Sequence, residues 1–221
     1  MEKKPFDIDI VMEKVAEAVR PFPKAAMFEL AKKGFDAPFQ QLVGCLISIR
    51  TLDEVSLPVS LKLLTAAPTP AAMARLTPGE IDKLIAECSF HERKAEQIHA
   101  IAVTLLEAYD GALPCERDLL LSFKGVGPKC ANLALGIACD QPVISVDIHV
   151  HRITNRWGYV AASAPEKTMV ALEKTLPQRY WIEINRLLVP FGKHVCTARL
   201  PKCSARLVRD MCRQVDVAAH R

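Results

Sequence analysis

The sequence predicts an all-α fold. Apolar residues recur at the spacing of a helical face along most of the chain. No segment alternates apolar and polar residues over the length of a strand between turn signals. Half of the 221 residues are hydrophobic, which is ample for a buried core.

No apolar run approaches the roughly 20 residues of a membrane span, and the chain begins without an apolar signal region. We therefore expect an intracellular, cytoplasmic protein.

Capping and breaking signals place the helices. The first is expected over 8–19, ending before Pro21 and Pro23, and a second apolar pattern covers 39–47. Thr77-Pro78-Gly79-Glu80 has the form of a capping box. A helix from about 92 to 109 should end near Gly111. Later helices are expected over about 127–139, 147–157, 165–175 and 179–192.

The most informative stretch is LLSFKGVGPKCAN, residues 120–132. A short apolar helix runs into Gly125-Val126-Gly127, and a second helix starts at once. The two glycines permit a tight turn with positive φ angles and a close approach of a ligand. The start of the second helix offers free N–H groups and a positive dipole end, which together bind phosphate. Lys124 and Lys129 add positive charge, although a GxG turn can also simply join two helices.

An acidic motif follows the hairpin. The apolar run of residues 143–146 leads into Asp147-Ile148-His149. A carboxylate that opens a helix can serve as its N-cap. It can also act at the same site as Lys129, and the two roles are compatible.

GVGPKCAN and SVDIHVHR together closely resemble the helix-hairpin-helix DNA glycosylases of the endonuclease III type, which carry GVG-x-K-x-AN and then VD-x-H. The likeness includes LISIRTLDEVS at 46–56, KAEQI at 94–98 and the cysteine tail, residues 196–212. It implies a two-part fold with the DNA cleft between the parts. A six-helix domain would cover 31–141, with the helix-hairpin-helix at about 117–139. Residues 1–30 plus 142–221 would form the second domain.

The resemblance also implies an activity, the excision of oxidised pyrimidines from duplex DNA followed by β-elimination at the abasic site. Lys129 corresponds to the Schiff-base nucleophile and Asp147 to the catalytic carboxylate. Contacts with DNA are expected from Lys124, Gly125, Val126, Gly127 and His149. The implied partner is duplex DNA with a damaged base or an abasic site, bound by a monomer associated with the nucleoid. The formal net charge of +4 permits such a partner without demanding it.

Arg50 stands where the family carries a loop residue, often glutamine, that fills the gap left by a flipped nucleotide. Arg50 either takes that role or faces phosphates. Two other functions stay open: a glycosylase for another lesion or mismatch, and a catalytically silent helix-hairpin-helix DNA-binding protein. The presence of both Lys129 and Asp147 speaks against the silent protein, which needs neither.

The eight cysteines fall into two sets. Buried free thiols are expected at the five scattered ones, Cys45, Cys88, Cys115, Cys130 and Cys139. The other three, Cys196, Cys203 and Cys212, match three positions of the family's iron–sulfur loop, here 196–212.

Arg206 stands at the remaining position of that loop and stays protonated, so it is no ligand. Either a three-cysteine [4Fe-4S] cluster persists or the cluster is lost. In both cases the loop is basic, which suits contact with phosphates, although a solvated charged face would have the same composition. The basic residues are Lys193, Arg199, Lys202, Arg206 and Arg209.

Overall fold

The computed structural model describes residues 3–205 and 208–221, so Arg206 lies outside the described residues. The described part is helical and contains no strand, which confirms the all-α prediction. Its α-helices are α1 (Ile8–Val19), α2 (Ala26–Lys32), α3 (Pro38–Ser48), α4 (Asp53–Ala66), α5 (Pro70–Ala74), α6 (Pro78–Ile85), α7 (His91–Ala108), α8 (Arg117–Ser122), α9 (Pro128–Ala138), α10 (Ile148–Trp157), α11 (Pro165–Thr175) and α12 (Glu183–His194).

The predicted start and stop signals operate in the structure. Thr77 and Glu80 form the expected capping box of α6. The N–H of Gly111 donates to the carbonyl of Leu105 at 2.8 Å and closes the end of α7. Helix α12 begins at Glu183 rather than near residue 179, because a short 3-10 helix at Gln178–Tyr180 takes up the preceding residues.

Contacts divide the chain into two units. We call Ala26–Val143 the hairpin unit, and Met1–Ala25 together with Ile144–Arg221 the terminal unit. Helix α2 belongs entirely to the hairpin unit because it packs on α3 and α4, so the boundary falls five residues before the expected one. The hairpin unit contains eight α-helices, α2 to α9, rather than the six expected, because the short helices α5 and α8 form in addition to the longer ones.

The hairpin unit is built around α3. Every residue from 41 to 47 is buried, and the helix packs against α4, α7 and α9. Burial on all sides explains the nearly continuous apolar sequence of α3. The helix thereby delivers its C-terminal end, and the loop that follows it, to the surface beside α7.

The terminal unit has its own core. Trp157 and the apolar face of α1 are buried in it, and α12 packs against both α1 and α10. Helix α10 starts with the Asp147 motif and ends at Gly158, whose φ of 72° is the left-handed conformation of a helix terminus. No helix in the described ranges is long and apolar enough to cross a membrane.

Candidate active site and nucleic-acid interface

The turn of the hairpin uses its two glycines differently. Gly125 has φ +92° and is exposed, as the sequence predicts. Gly127 precedes α9 with φ −103°, so no positive φ is required there. A Cβ added at Gly127 would meet nothing within 4 Å, which leaves the backbone open to an approaching group. Val126 between them is buried and anchors the turn.

Lys129 is the second residue of α9 and is half-buried. Pro128 occupies the first position, and the first backbone bond of the helix runs from the N–H of Ala131 to the carbonyl of Gly127 at 3.0 Å. The N–H groups ahead of Ala131 therefore have no intrahelical acceptor and belong to the positive end of the dipole. Lys124 is exposed on the other side of the turn. These groups give this end of the hairpin the properties of a phosphate site.

Arg50 follows α3 and lies close to Phe90, a residue that the sequence reading missed. The Arg50 guanidinium carbon is 5.9 Å from the centroid of the Phe90 ring. Phe90 is 59% exposed and forms the N-cap of α7. Both residues have left-handed backbones, with φ of 52° and 58°. The only sequence signal for Phe90 was an aromatic residue standing directly before a helix without a polar cap.

Arg50 and the hairpin border the same hollow. It is lined by Ile49, Arg50, Phe90, Arg93, Lys94, Gln97 and Gly125. A Cβ at Gly125 would lie 2.5 Å from the amide nitrogen of Gln97, so α7 packs directly on the turn at this glycine. The structure thus brings together the loop after α3, the start of α7 and the hairpin turn.

Asp147 is the N-cap of α10, as its position in the sequence predicts. Its Oδ1 atom accepts hydrogen bonds from the N–H groups of His149 at 2.9 Å and Val150 at 2.8 Å. Oδ2 takes part in neither bond. The side chain is half-buried, and the next residue, Ile148, is 66% exposed. The carboxylate therefore has a fixed orientation at an accessible helix start.

His149 points toward α12. Arg152 donates to its Nδ1 at 3.1 Å, and a Cβ on Gly192 would lie 2.4 Å from the same atom. Arg152 also donates to the carbonyl of Gly192 at 2.9 Å. The ring is half-buried in the terminal unit. Its expected contact with DNA stays a prediction.

The scattered cysteines need one correction. Cys45, Cys88 and Cys130 are buried free thiols, as predicted, but Cys115 and Cys139 form a disulfide. Cys115 precedes α8 and Cys139 follows α9. Because the two helices form a hairpin, these two ends meet, with 6.1 Å between the Cα atoms. A hydrogen bond with Cys45 lowers the pKa of the Cys130 thiol, and the charge of the adjacent Lys129 acts in the same direction.

The cysteine tail brings three thiols to one cavity. Cys196, Cys203 and Cys212 line it together with Lys202 and Arg209. Burial raises the pKa of the Cys196 and Cys212 thiols. Within the described ranges, no group of three or more histidine, cysteine or acidic residues is arranged to hold a metal ion. A cubane cluster usually takes four thiolates, so the described donors do not fit a four-thiolate cluster.

The tail is held by protein groups instead. Arg156 donates to the carbonyls of Thr197 and Ala198, both at 2.6 Å, and to the Cys196 sulfur at 3.6 Å. Arg152 donates to the carbonyl of Cys196 at 3.1 Å. These guanidinium contacts fix the loop that starts at Cys196.

Known proteins are similar to this chain in sequence. A family model described as HhH-GPD superfamily base excision DNA repair protein matches residues 43–178. Endonuclease III of Thermotoga maritima is 36% identical over 203 residues, covering 92% of each chain. Endonuclease III of Escherichia coli K12 is 32% identical over 178 residues, covering 80% of this chain and 84% of that protein.

Solved structures give the same result. A trapped endonuclease III–DNA covalent intermediate superposes with a TM-score of 0.74 at 27% identity, covering 86% of this chain and 93% of that one. A thermostable thymine-DNA glycosylase superposes with a TM-score of 0.77 at 19% identity, covering 92% of both chains, which is a likeness of fold.

Proposed function

Because the chain belongs to the HhH-GPD superfamily of base-excision DNA repair proteins, we propose that it is a DNA glycosylase that removes oxidised pyrimidines from duplex DNA and also cleaves the abasic site. The observation that carries the lyase half is Lys129. This lysine is the second residue of α9, directly behind a turn whose backbone is open to a ligand. A protein that only binds DNA needs no half-buried lysine at that position.

The reaction uses the lysine amine as nucleophile. The unprotonated amine attacks C1′ of the damaged nucleotide, the C1′–N bond breaks, and the base departs with the bonding electrons and takes up a proton. Loss of a proton from the attached nitrogen and opening of the sugar give the imine. The imine acidifies the neighbouring C2′–H bond. Removal of that proton expels the 3′ phosphate, and water then releases the lysine.

Asp147 supports the departure of the base. A carboxylate stabilises the positive charge that develops on the sugar and can accept the proton that the lysine nitrogen loses after the attack. The two backbone N–H groups on Oδ1 keep the side chain in one orientation, so no reorganisation accompanies the change in charge. Oδ2 is the atom proposed to face the reacting sugar.

The hairpin turn is proposed to hold a backbone phosphate. The N–H groups at the start of α9, the open backbone at Gly127 and the charge of Lys124 suit an anion. Such contacts set the register of the protein on the duplex without reading its sequence.

Arg50 and Phe90 are proposed to fill the gap that the extruded nucleotide leaves. A guanidinium group and an aromatic ring both stack on bases, and each base stacked on an aromatic ring contributes roughly 1–3 kcal/mol. The 59% exposure of Phe90 makes its ring available for stacking on a base. Arg50 lies beside it.

The tail is proposed to contribute charge rather than iron chemistry. Lys202 and Arg209 lie beside the three thiols, and their charges suit contacts with the phosphate backbone. The reaction above needs no cluster at any step.

Borohydride trapping tests the proposal. Duplex DNA with one abasic site is mixed with wild-type protein, with Lys129→Ala and with Lys83→Ala, an exposed lysine of α6 that serves as the matched control. Wild type and Lys83→Ala should each give a covalent complex with DNA, and Lys129→Ala should give none. Trapping by Lys129→Ala at the wild-type level would remove Lys129 as nucleophile. Wild-type protein that binds DNA and is never trapped would favour the catalytically silent DNA-binding protein.

A further inference from the structure

Lys94 is a buried cation that the reaction above does not use. It lies in the first turn of α7 and is 4% exposed, whereas lysine is almost never fully buried unless it is paired. Its ammonium group donates to the carbonyls of Ile47 at 2.7 Å and Ile49 at 2.8 Å, and to the Thr51 hydroxyl at 3.1 Å. An ammonium group has three donors, and these three acceptors use all of them.

The acceptors form the C-terminal end of α3 and the loop that carries Arg50. The last carbonyls of a helix lack intrahelical partners and form the negative end of its dipole. A cation placed there satisfies the carbonyls and favours the helix end. Because Lys94 binds on both sides of Arg50, at Ile49 and at Thr51, it fixes the backbone of this residue.

A second contact ties this loop to the residues before α7. The Thr51 hydroxyl accepts a hydrogen bond from the N–H of Ser89 at 3.3 Å. Ser89 directly precedes Phe90, and the backbone N–H of Lys94 donates to the Phe90 carbonyl at 3.1 Å. The left-handed backbones of Arg50 and Phe90 are unfavourable for residues with a side chain, and such conformations persist only where neighbouring structure supports them.

Helix α7 also contacts the hairpin. Gln97 lies one turn after Lys94 and packs against Gly125, where any side chain would clash with its amide. One helix therefore holds the loop of Arg50 through Lys94, carries Phe90 at its start and contacts the hairpin through Gln97.

We propose that Lys94 is a positioning residue: its ammonium group locks residues 49–51 and 89–90 into one platform that presents Arg50 and Phe90 to the gap in the duplex. The inference rests on the proposed function, because the platform matters only if a nucleotide is extruded. Lys94 acts through Arg50 and Phe90 rather than by contact with DNA. A neutral side chain at this position removes the ammonium donor from the Ile47 carbonyl and leaves the Ile49 carbonyl only the Thr51 hydroxyl, at 3.3 Å. The loop then relaxes away from its left-handed conformation.

The test compares abasic DNA in two forms. In a duplex, the gap must be filled and the partner strand held, whereas a single strand has no stack to repair. Lys94→Met should lower the ratio of duplex to single-strand borohydride trapping about tenfold, the factor expected when buried acceptors lose their donor. Trapping is measured well below the unfolding temperature of each variant, which circular dichroism establishes.

Matched variants separate positioning from loss of stability. Leu105→Ala removes a fully buried side chain near the other end of α7 without touching either loop, so it should leave the ratio unchanged. Thr51→Val removes the shared hydroxyl and should lower the ratio to a smaller extent, and it serves if Lys94→Met does not fold. Arg50→Ala should also lower the ratio. Lys94→Met should lower the ratio by a smaller factor in the Arg50→Ala protein than in the wild type.

The possible results have different meanings. If wild-type protein traps both substrates and the Lys94→Met and Thr51→Val variants lose both in parallel, or lose neither, the positioning role is wrong and the proposed function stands. If wild-type protein traps neither substrate, the proposed lyase is wrong and the positioning role falls with it.

Discussion

Asp147 combines two roles in one carboxylate. Oδ1 caps α10 through two backbone N–H groups, and the charge of the group is proposed to act on the sugar. Asparagine caps a helix about as well as aspartate does but carries no charge. The two roles can therefore be separated by substitution.

Asp147→Asn should leave the unfolding temperature almost unchanged and slow base release by roughly 10²–10⁴-fold, the range of a lost general acid–base group. Asp147→Ala should be equally slow and should also lose about 1 kcal/mol of stability, because the cap is removed. Single-turnover rates and thermal unfolding measure the two effects. An Asp147→Asn variant with the wild-type rate would leave the residue with its structural role alone.

Individual residues differ in how far the sequence reveals them. Lys129 and Asp147 stand in short motifs with fixed neighbours, so their positions at helix starts were predictable. Lys94 was not, because its acceptors lie more than 40 positions earlier in the chain and a lysine in a polar helix start looks exposed. Phe90 was missed for a related reason. Its exposure depends on a left-handed backbone conformation at the N-cap of α7, and phenylalanine is not a residue type that predicts this conformation.

At the scale of elements, the hairpin is closed by a disulfide. Cys115 is exposed and Cys139 half-buried, and the bond joins the entry of α8 to the exit of α9. The enclosed loop contains the whole phosphate site proposed above. Reduction of this disulfide therefore removes a covalent restraint from the helical hairpin that carries Lys129.

Relative to oxidised wild-type protein, Cys115→Ser should lower the free energy of unfolding by about 3 kcal/mol, since a closed loop of this length restricts the unfolded chain by that amount. Denaturant unfolding of oxidised wild-type protein provides the reference. A thiol reductant should lower the stability of wild type by a similar amount and should not affect Cys115→Ser further. Equal stability of wild type with and without reductant would contradict the prediction.

Explicit boundary signals made some helix ends predictable from the sequence. Helix α6 has its capping box, and α7 has a terminating glycine. Short helices such as α5, with five residues, escape detection because periodicity needs more turns than they have. The disulfide was not predicted because cysteine pairing depends on the tertiary contact of two helix ends, which the spacing of the cysteines in the sequence does not show.

At the scale of the whole molecule, both ends of the chain meet in the terminal unit. The N–H of Lys4 donates to the carbonyl of Asp210 at 2.9 Å. Arg221 and Pro201 are joined by a backbone bond of 3.0 Å, and Ser204 donates to the Arg221 carbonyl at the same distance. Together with the side chain of Arg156, these backbone hydrogen bonds hold the cysteine tail in place.

We therefore expect the fold to be independent of iron. Protein from iron-depleted cells should unfold at the same temperature as protein from iron-rich cells, because Arg152, Arg156 and backbone hydrogen bonds hold the described residues of the tail. Neither sample should show the broad absorbance at about 400 nm of an iron–sulfur cluster. Iron analysis and thermal melts of anaerobically purified protein are the measurements. Stoichiometric iron, with a melting temperature that falls on chelation, would show that the three thiols hold a cluster.

Because α1 packs on α12, the apolar face of α1 stays uncovered until α12 has been synthesised. The apolar face of α1, which includes Met12 and Val15, packs on a helix that begins roughly 160 residues later. At about 5–20 residues per second on the ribosome, that face waits roughly ten to thirty seconds for its partner. The hairpin unit has been synthesised by then, whereas α1 is among the last helices to be covered, and a chaperone that binds nascent chains would bind at residues 8–19.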